Sequence, residues 1–373
     1  MKLRLYDLPE DRIYVIVSEE FNERLMSKIK SKFKTFTKFY TVFGLNHATF
    51  NKWKKARQYP LILIKRMCRK TDISFNDLER NTNGIRSGRF FSKGKFKSTV
   101  IYPKFPIKLS SELVRMIAHM LGDGCITISK RGHYNFQYYN KNKFLIKMFK
   151  EDARKVFGNL HIHESNNKGT PYIFLPSPVT IIFLQLVKDF HSNTSRIPNF
   201  IRNSSLALKR EFLRCIFDDE AHVEFRKNQR RIEFALSNEI MINDVKNLLK
   251  DFNIKLSKTY KRTDMNGKQK IYFYIRNFVN INKFFKEIGF YHPRKKEKLE
   301  KIIKNPGRKS YARGETEKLI INLLQNEMLT VYEISKRLER SYINTSAFVR
   351  SLSKEGRIDS IRLGKQKLWK VRI

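Results

Sequence analysis

The chain has 373 residues, and 41% of them are hydrophobic, which is enough for two or three folded domains and excludes a disordered tail. Its 77 Lys and Arg outnumber its 35 Asp and Glu, so the formal net charge is +42, far more than solubility requires. This excess predicts a polyanionic partner and favours nucleic acid over a membrane surface.

The first predicted unit is helical. Within residues 35–70, aromatic side chains recur at helical spacing and Gly44 marks a turn, a pattern typical of a helix-turn-helix. We therefore predict an all-α helix-turn-helix domain over residues 1–84. Its second helix has a polar face on which Asn46 and Lys52 are candidate DNA contacts. The alternative is an ordinary helical bundle whose polar face is solvated.

Two basic segments predict linkers. Residues 85–106 and 301–312 are rich in Lys and Arg, contain Gly and Pro, and show no sustained helical period. Such segments connect domains and can also contact phosphate groups. They divide the chain into an N-terminal unit, a central unit and a C-terminal unit.

The C-terminal unit, residues 313–373, shows three helical patterns and then two alternating stretches around a turn at Gly364. Three helices followed by a hairpin predict a winged helix. Its third helix begins near Ser341, which makes Asn344 and Arg350 candidate DNA contacts. The same shape also serves protein–protein contact, so that alternative stays open.

Residues 107–300 contain an internal duplication, with repeats at about 107–195 and 196–300. The stretch "SSELVRMIAHMLGDGCI" aligns with "LALKREFLRCIFDDEAHV", which places Asp123 against Glu220. Each repeat reads as a helix, two strands, a helix, two strands and a helix. We therefore predict an α+β fold with a pseudo-twofold, duplicated αββαββα core.

The apolar helix that opens each repeat ends in an acid. Small residues on these helices, Ala118, Gly122 and Cys215, allow close packing, which would bring Asp123 and Glu220 side by side. Each carboxylate would face the negative end of a helix dipole and a second carboxylate, so a cation is needed to keep both charged. A divalent ion, Mg²⁺ or another such as Mn²⁺, would suit hydrolysis of a phosphodiester.

The stretches "MIAHMLGDG" (116–124) and "LRCIFDDEA" (213–221) resemble the paired signature of the LAGLIDADG homing endonucleases. The resemblance covers about residues 107–300. It implies a monomer with two saddle-shaped halves, strands that lie in the DNA major groove, and magnesium-dependent double-strand cleavage with staggered ends. Carried over by position, the acids that cut are Asp123 and Glu220.

The resemblance also suggests which neighbours matter. Besides the two acids, the adjacent Gly122 and Asp219 are candidate metal ligands. In the second copy, Cys215 and Ala221 stand in place of glycines and Glu220 in place of aspartate. Because the two residues before Glu220 are also aspartates, the sequence leaves open which acid faces the site.

Basic residues on the predicted strands are further candidates. Lys168 and Lys270 occupy roughly equivalent strands, and the resemblance implies that such residues position water or stabilise charge near the metal. The alternative is that each lysine simply faces phosphate. Five residues that alternation and the duplication place on or beside the concave sheet are candidate DNA contacts: Lys130, Arg131, Arg226, Arg230 and Arg231.

The sequence is compatible with three functions. The two acids favour a cutting enzyme that acts on double-stranded DNA. The two additional DNA-reading units favour a transcriptional regulator whose LAGLIDADG domain is degenerate and does not cut DNA. Some members of the family assist RNA splicing, so structured RNA is a third possible partner.

Cysteine usage and the termini suggest a cytoplasmic, free-standing protein. Cys68, Cys125 and Cys215 form no C-x-x-C pair, so neither a disulfide framework nor a cysteine zinc site is indicated. We find no signal peptide and no uncharged apolar stretch long enough to cross a membrane. The terminal residues that protein splicing uses are absent. We expect His119, on the helix body, to be packed rather than to bind metal.

Overall fold

The computed structural model describes residues 1–87, 100–128, 134–167, 169–226, 229–263, 267–305, 314–364 and 366–372. It confirms the α+β fold class and the duplicated core predicted from the sequence. No helix among these residues is long and apolar enough to cross a membrane.

The N-terminal unit combines helices with short strands. In chain order it contains β1 (Lys2–Leu3), a 3₁₀ helix (Leu5–Asp7), β2 (Ile13–Val17), α1 (Glu19–Phe33), α2 (Phe36–Phe43), α3 (His47–Ala56), β3 (Gln58–Pro60), α4 (Leu61–Lys70), α5 (Phe75–Arg80) and β4 (Thr82–Ser87). The paired helices α2 and α3 lie where the sequence predicts them, joined by a turn in which Gly44 has the left-handed backbone conformation.

The expectation of an all-α N-terminal unit is wrong, because β2 pairs antiparallel with both β3 and β4. The cause is local: Ile13, Val15 and Val17 alternate with half-exposed residues and are buried, as β-branched residues favour in a strand. The predicted linker also begins inside β4, where Ile85 forms a bridge with Ile101. The N-terminal unit therefore shares one continuous hydrophobic core with the central unit.

The central unit contains the predicted αββαββα order twice. After β5 (Ile107–Lys108), which pairs with β1, the first copy contains α6 (Ser111–Leu121), β6 (Gly124–Ile128), β7 (Tyr134–Tyr139), α7 (Lys143–Phe157), β8 (His163–Asn167), β9 (Thr170–Leu175) and α8 (Ser177–Leu186). A short α9 (Asn199–Arg202) leads into the second, with α10 (Leu206–Glu220), β10 (Ala221–Arg226), β11 (Gln229–Leu236), α11 (Glu239–Lys250), β12 (Tyr260–Thr263), β13 (Gln269–Ile275) and α12 (Phe278–Glu287).

The two copies have the same sheet topology. The strand order is β6-β7-β9-β8 in the first and β10-β11-β13-β12 in the second, and every pairing is antiparallel. The inner face of each sheet packs on its helices, as the buried Phe136 and Phe234 show. The outer faces are partly exposed. Helices α6 and α10 pack against each other between the two sheets.

The C-terminal unit has its own core. After α13 (Pro293–Lys304), which packs on β10, it contains α14 (Glu315–Asn326), α15 (Val331–Arg337), α16 (Tyr342–Lys354), β14 (Ile358–Leu363) and β15 (Gln366–Val371). Ile320, Val349 and Trp369 belong to a hydrophobic cluster that is distinct from the main core. The Ser341 hydroxyl caps α16, so this helix begins where the sequence predicts.

Candidate functional site

The C-terminal ends of α6 and α10 meet at the centre of the duplicated unit. A Cβ atom on Gly122 would lie 3.0 Å from the Cβ of Asp219 and 3.3 Å from Cδ1 of Ile216. Only a glycine therefore allows this approach without a shift of its neighbours. The contact brings together Asp123, just beyond α6, and Glu220, the last residue of α10.

The three consecutive acids at the end of α10 point in different directions, because successive residues of a helix project about 100° apart. Asp218 is buried and accepts hydrogen bonds from the backbone N–H groups of Tyr291 (3.1 Å) and His292 (2.9 Å). Asp219 points into the first repeat. Glu220 lines a cavity of about 150 Å³, together with Gly122. Of the three acids, Glu220 is the one that lines this cavity, which supports it as the acid of the candidate site.

Asp219 belongs to a buried polar cluster at the boundary of the two copies. Its carboxyl group contacts Nδ1 of His119 at 2.8 Å and accepts from the Tyr138 hydroxyl at 3.1 Å and from Nδ2 of Asn140 at 3.2 Å. Burial raises the pKa of Asp219 well above its ordinary value and lowers that of His119 to about 4. Both shifts favour a hydrogen bond between neutral groups over an ion pair.

This cluster gives Asp219 a structural role that the sequence did not indicate. Its side chain is fully buried, contacts first-copy residues and so links the two copies, and it shares the Asn140 amide with Asp123. Its role as a metal ligand stays a prediction. The expectation for His119 holds in one respect, since its side chain is packed in the core. The sequence did not anticipate its contact with Asp219.

Asp123 is oriented by Asn140. The side-chain N–H of Asn140 donates to Oδ2 of Asp123 at 3.1 Å, while its Oδ1 accepts from the backbone N–H of Asn142. Burial, reinforced by the nearby Asp219, raises the pKa of Asp123 to about 7. The equivalent residue of the second copy, Asn238, donates to the carbonyl of Ser195. The two acids therefore have unequal surroundings.

Glu220 lies beside Lys270. The two residues line the same cavity, and the positive charge of Lys270 partly offsets the burial and the nearby Asp123 and Asp219 charges that raise the pKa of Glu220 to about 8. Lys270 is thus close to an acid, as the sequence led us to expect. Its counterpart Lys168 lies outside the described residues.

Lys295, in the first turn of α13, is a site residue that the sequence reasoning missed. Its ammonium group donates to the carbonyl oxygens of Phe217 (3.2 Å), Asp218 and Asp219 (3.5 Å), and so caps the negative end of α10. Burial lowers the pKa of Lys295, and the four neighbouring carboxyl groups oppose that shift. The run "PRKKEK" gives no sign of which lysine docks here.

The donor set suits a hard divalent ion. Among the described residues, no group of three or more His, Cys, Asp or Glu forms a protein cage for a metal. Two carboxylates, Asp123 and Glu220, instead lie within electrostatic reach of each other in a chain of strongly positive net charge. Mg²⁺ is commonly held by one or two carboxylates while phosphate oxygens and water complete its shell. The residues present therefore fit such an ion.

The candidate DNA contacts lie at the surface. Lys52, Arg226, Asn344 and Arg350 are exposed. Asn46 is also exposed, and its side-chain oxygen caps α3 by accepting from the Thr49 N–H.

The other basic candidates lie on β11 or beyond the described part of the chain. Arg230 lies over the ring of Phe225, and Arg231 pairs with Glu224. Lys130 and Arg131 fall outside the described residues.

Gly124 closes the first signature, and its backbone needs the space that a side chain would fill. A Cβ there would lie 2.4 Å from Cα and 2.5 Å from the carbonyl oxygen of Met120. We expect Gly124→Ala to lower the free energy of unfolding by about 1–3 kcal/mol in denaturant melts. The equivalent change Ala221→Gly adds no atom and should cost at most about 1 kcal/mol. Equal losses in the two variants would contradict this interpretation.

The raised pKa values predict a pH-dependent stability. Asp123 and Glu220 hold protons more tightly in the folded than in the unfolded state. As the pH rises through about 7 and about 8, the two carboxyl groups lose the protons that stabilise the folded state. The free energy of unfolding of the metal-free protein therefore falls. The double variant Asp123→Asn/Glu220→Gln cannot ionise at these positions. We therefore expect its melting temperature to increase relative to that of the wild type as the pH rises from about 6 to about 8.5.

A matched measurement with Mg²⁺ completes this test. At the higher pH the ion should raise the melting temperature of the wild type and leave that of the double variant unchanged, because only the folded wild type binds it. If the difference in melting temperature between the two proteins does not vary with pH, then burial does not raise the pKa values of Asp123 and Glu220.

A family model described as a LAGLIDADG-like domain matches residues 207–289. The match runs from the start of α10 to just beyond α12, and thus spans the second copy, with Glu220 and Lys270.

The curated relatives include two proteins of Methanocaldococcus jannaschii. Replication factor C small subunit is 28% identical over 201 residues, which are 52% of this chain and 10% of the relative. DNA-directed RNA polymerase subunit Rpo1N is 24% identical over 232 residues, which are 51% of this chain and 16% of the relative. The chain thus spans less than a fifth of the length of either.

Three solved structures are similar to part of the chain. A mesophilic variant of the homing endonuclease I-DmoI is 11% identical, with a TM-score of 0.38, and covers 48% of this chain and 95% of its own. The homing endonuclease I-WcaI, bound to its DNA recognition sequence, is 20% identical, with a TM-score of 0.37, over 52% of this chain and 87% of its own. Full-length DUF199/WhiA from Thermotoga maritima is 15% identical, with a TM-score of 0.36, over 66% and 92%.

Proposed function

This chain contains a LAGLIDADG-like domain, and we propose that the domain is a divalent-metal-dependent endonuclease that cuts both strands of DNA with a stagger. The observation that supports the proposal is that Asp123 and Glu220, one from each copy, lie within electrostatic reach of each other beside the packed ends of α6 and α10. Two acids in register within a chain of net charge +42 are what metal-dependent cleavage of a polyanion requires.

The side chains around the acids would each have a distinct task. Asn140 orients the carboxylate of Asp123, and Lys270 sets a positive charge beside Glu220. A divalent ion held by the two acids would activate water and neutralise charge on the leaving oxygen. Lys295 holds the end of α10, and thereby Glu220, in place.

The DNA would lie along the outer faces of the two sheets. These faces are partly exposed, and the pseudo-twofold relation of the sheets matches the dyad symmetry of a duplex. The α2–α3 helices and the C-terminal unit would contact flanking DNA through Lys52, Asn344 and Arg350. Added contacts of this kind extend the recognised sequence.

The test is incubation of the full chain with genomic DNA and with a randomised duplex library, in Mg²⁺ and in chelator. Sequencing of the ends should show staggered breaks at a recurrent site in Mg²⁺ and none in chelator. Structured RNA as a competitor separates the two classes of nucleic acid. Preferential binding of RNA, or the absence of breaks in any sequence, would overturn the proposal.

The second candidate function is a DNA-binding regulator that does not cut, and Lys295 is the observation that favours it. The Lys295 ammonium lies within electrostatic reach of all four carboxyl groups and already supplies a positive charge to the end of α10. In this alternative the lysine replaces the divalent ion. The same assay would then show sequence-specific binding in chelator and no cleavage when Mg²⁺ is added.

A further inference from the structure

The outer face of the first sheet carries uncharged groups wherever its residues are described. The strand register places alternate residues of β6, β7 and β9 on this face, opposite the buried Phe136, Tyr138 and Ile173. No Lys or Arg occurs among the described residues of the four strands in this sheet. Amide, hydroxyl and aromatic groups are found instead, on Thr127, Asn135, Gln137, Tyr139, Tyr172 and Phe174.

The outer face of the second sheet carries arginines over tyrosine rings. Here Val223, Ile232 and Phe273 are buried on the inner face, and the residues that alternate with them face outward. The outward set includes Arg226, Arg231, Arg262, Lys270, Tyr272 and Tyr274. Two halves with the same topology therefore present different chemistry.

Two of these arginines are held in fixed orientations. Nε of Arg231 bonds to Glu224 at 2.6 Å, and its guanidinium lies 4.1 Å from the centre of the Tyr274 ring. Nη2 of Arg262 pairs with Glu233 at 2.7 Å, above Tyr272. A carboxylate at one edge and a ring below restrict the rotation of a planar guanidinium, so less conformational entropy is lost on binding.

This orientation suits one kind of base. The bond from Arg231 to Glu224 uses Nε and not the pair of Nη groups that a bidentate contact needs. In the major groove, the paired N–H groups of arginine match the O6 and N7 acceptors of guanine. Asparagine and glutamine instead match adenine, and apolar groups contact the methyl group of thymine. The first sheet presents the second kind of chemistry through Asn135, Gln137 and Phe174.

We infer that the DNA target has halves of unequal composition, with A·T pairs under the first sheet and guanine opposite Arg231 under the second. The inference rests on the proposed function in one respect, that duplex DNA lies along both outer faces. It goes further in assigning a base class to each half. The guanine contact should contribute about 5- to 150-fold in preference over another base.

The experiment is selection of bound sequences from a randomised duplex library by the full chain in chelator. The wild type should enrich sites in which one half contains a recurrent guanine and the other is rich in A·T pairs. Arg231→Ala should relax the guanine preference in one half only, and Gln137→Ala the adenine preference in the other. Arg154→Ala, an exposed arginine on α7 away from both outer faces, is the control and should leave both preferences unchanged.

The outcomes are distinct. Halves of equal composition would overturn the inference. So would an Arg231→Ala variant that melts like the wild type and binds more weakly to every sequence without a change in preference. If the wild type enriches no sequence at all, the proposed function itself fails.

Discussion

Asp123→Asn should abolish double-strand cleavage while DNA binding persists. The carboxylate lies near the point where the two copies meet, is oriented by Asn140, and is within electrostatic reach of Glu220 from the other copy. Loss of a group behind a metal ligand typically costs about 10- to 100-fold in activity, so loss of the ligand should cost more than about 100-fold. We expect the same for Glu220→Gln. Cleavage of a selected site in Mg²⁺ measures the effect.

The controls separate chemistry from folding. Asp72→Asn makes the same chemical change at a side chain that is 76% exposed and far along the chain from both signatures. This variant should cut like the wild type. DNA affinity in chelator should persist in all of these proteins and should be the same or somewhat higher in Asp123→Asn and Glu220→Gln, because each of these changes removes a negative charge that repels phosphate. Full cleavage by Asp123→Asn would remove this residue from the mechanism, and loss of binding would indicate a folding defect.

The second large effect is the dependence of DNA affinity on salt. A chain of net charge +42 with exposed basic residues in all three units should displace many counterions from DNA. Between about 50 and about 200 mM salt we expect the affinity to fall about 10³- to 10⁵-fold, the range for roughly 6–10 phosphate contacts. Fluorescence anisotropy with a labelled duplex gives the slope of the logarithmic plot.

Single substitutions refine this slope. If Lys52 on α3 contacts phosphate, Lys52→Ala should reduce the slope by about one. Lys147→Ala, which removes an exposed lysine from α7, behind the first sheet, should leave it unchanged. A flat dependence for the wild type would exclude nucleic acid as the main partner, whatever the single variants do.

The sequence was most informative where the chain repeats itself. Aligning the two copies was enough to place Asp123 against Glu220 and to give the order of helices and strands, because both patterns are local. The start of α16 was similarly predictable, since Ser341 is a standard capping residue.

The sequence was least informative where distant segments meet. The N-terminal sheet joins β2 to β4, whose paired residues Val15 and Ile85 are separated by five helices and a strand. Lys295 resembles its basic neighbours until α13 docks on β10 and directs one ammonium at α10. The orientation of the Asp219 side chain also depends on tertiary packing, because His119 and Tyr138 become its hydrogen-bond partners only in the folded core.

The central claim is that Asp123 and Glu220 together hold a divalent ion. The most direct measurement is anomalous diffraction from crystals of the full chain, bound to its selected DNA, grown with Mn²⁺. We expect an anomalous peak within coordination distance of a carboxylate oxygen of Asp123 and one of Glu220, and no such peak in crystals of Asp123→Asn. A wild-type map with ordered DNA and an empty position between the two acids would contradict it.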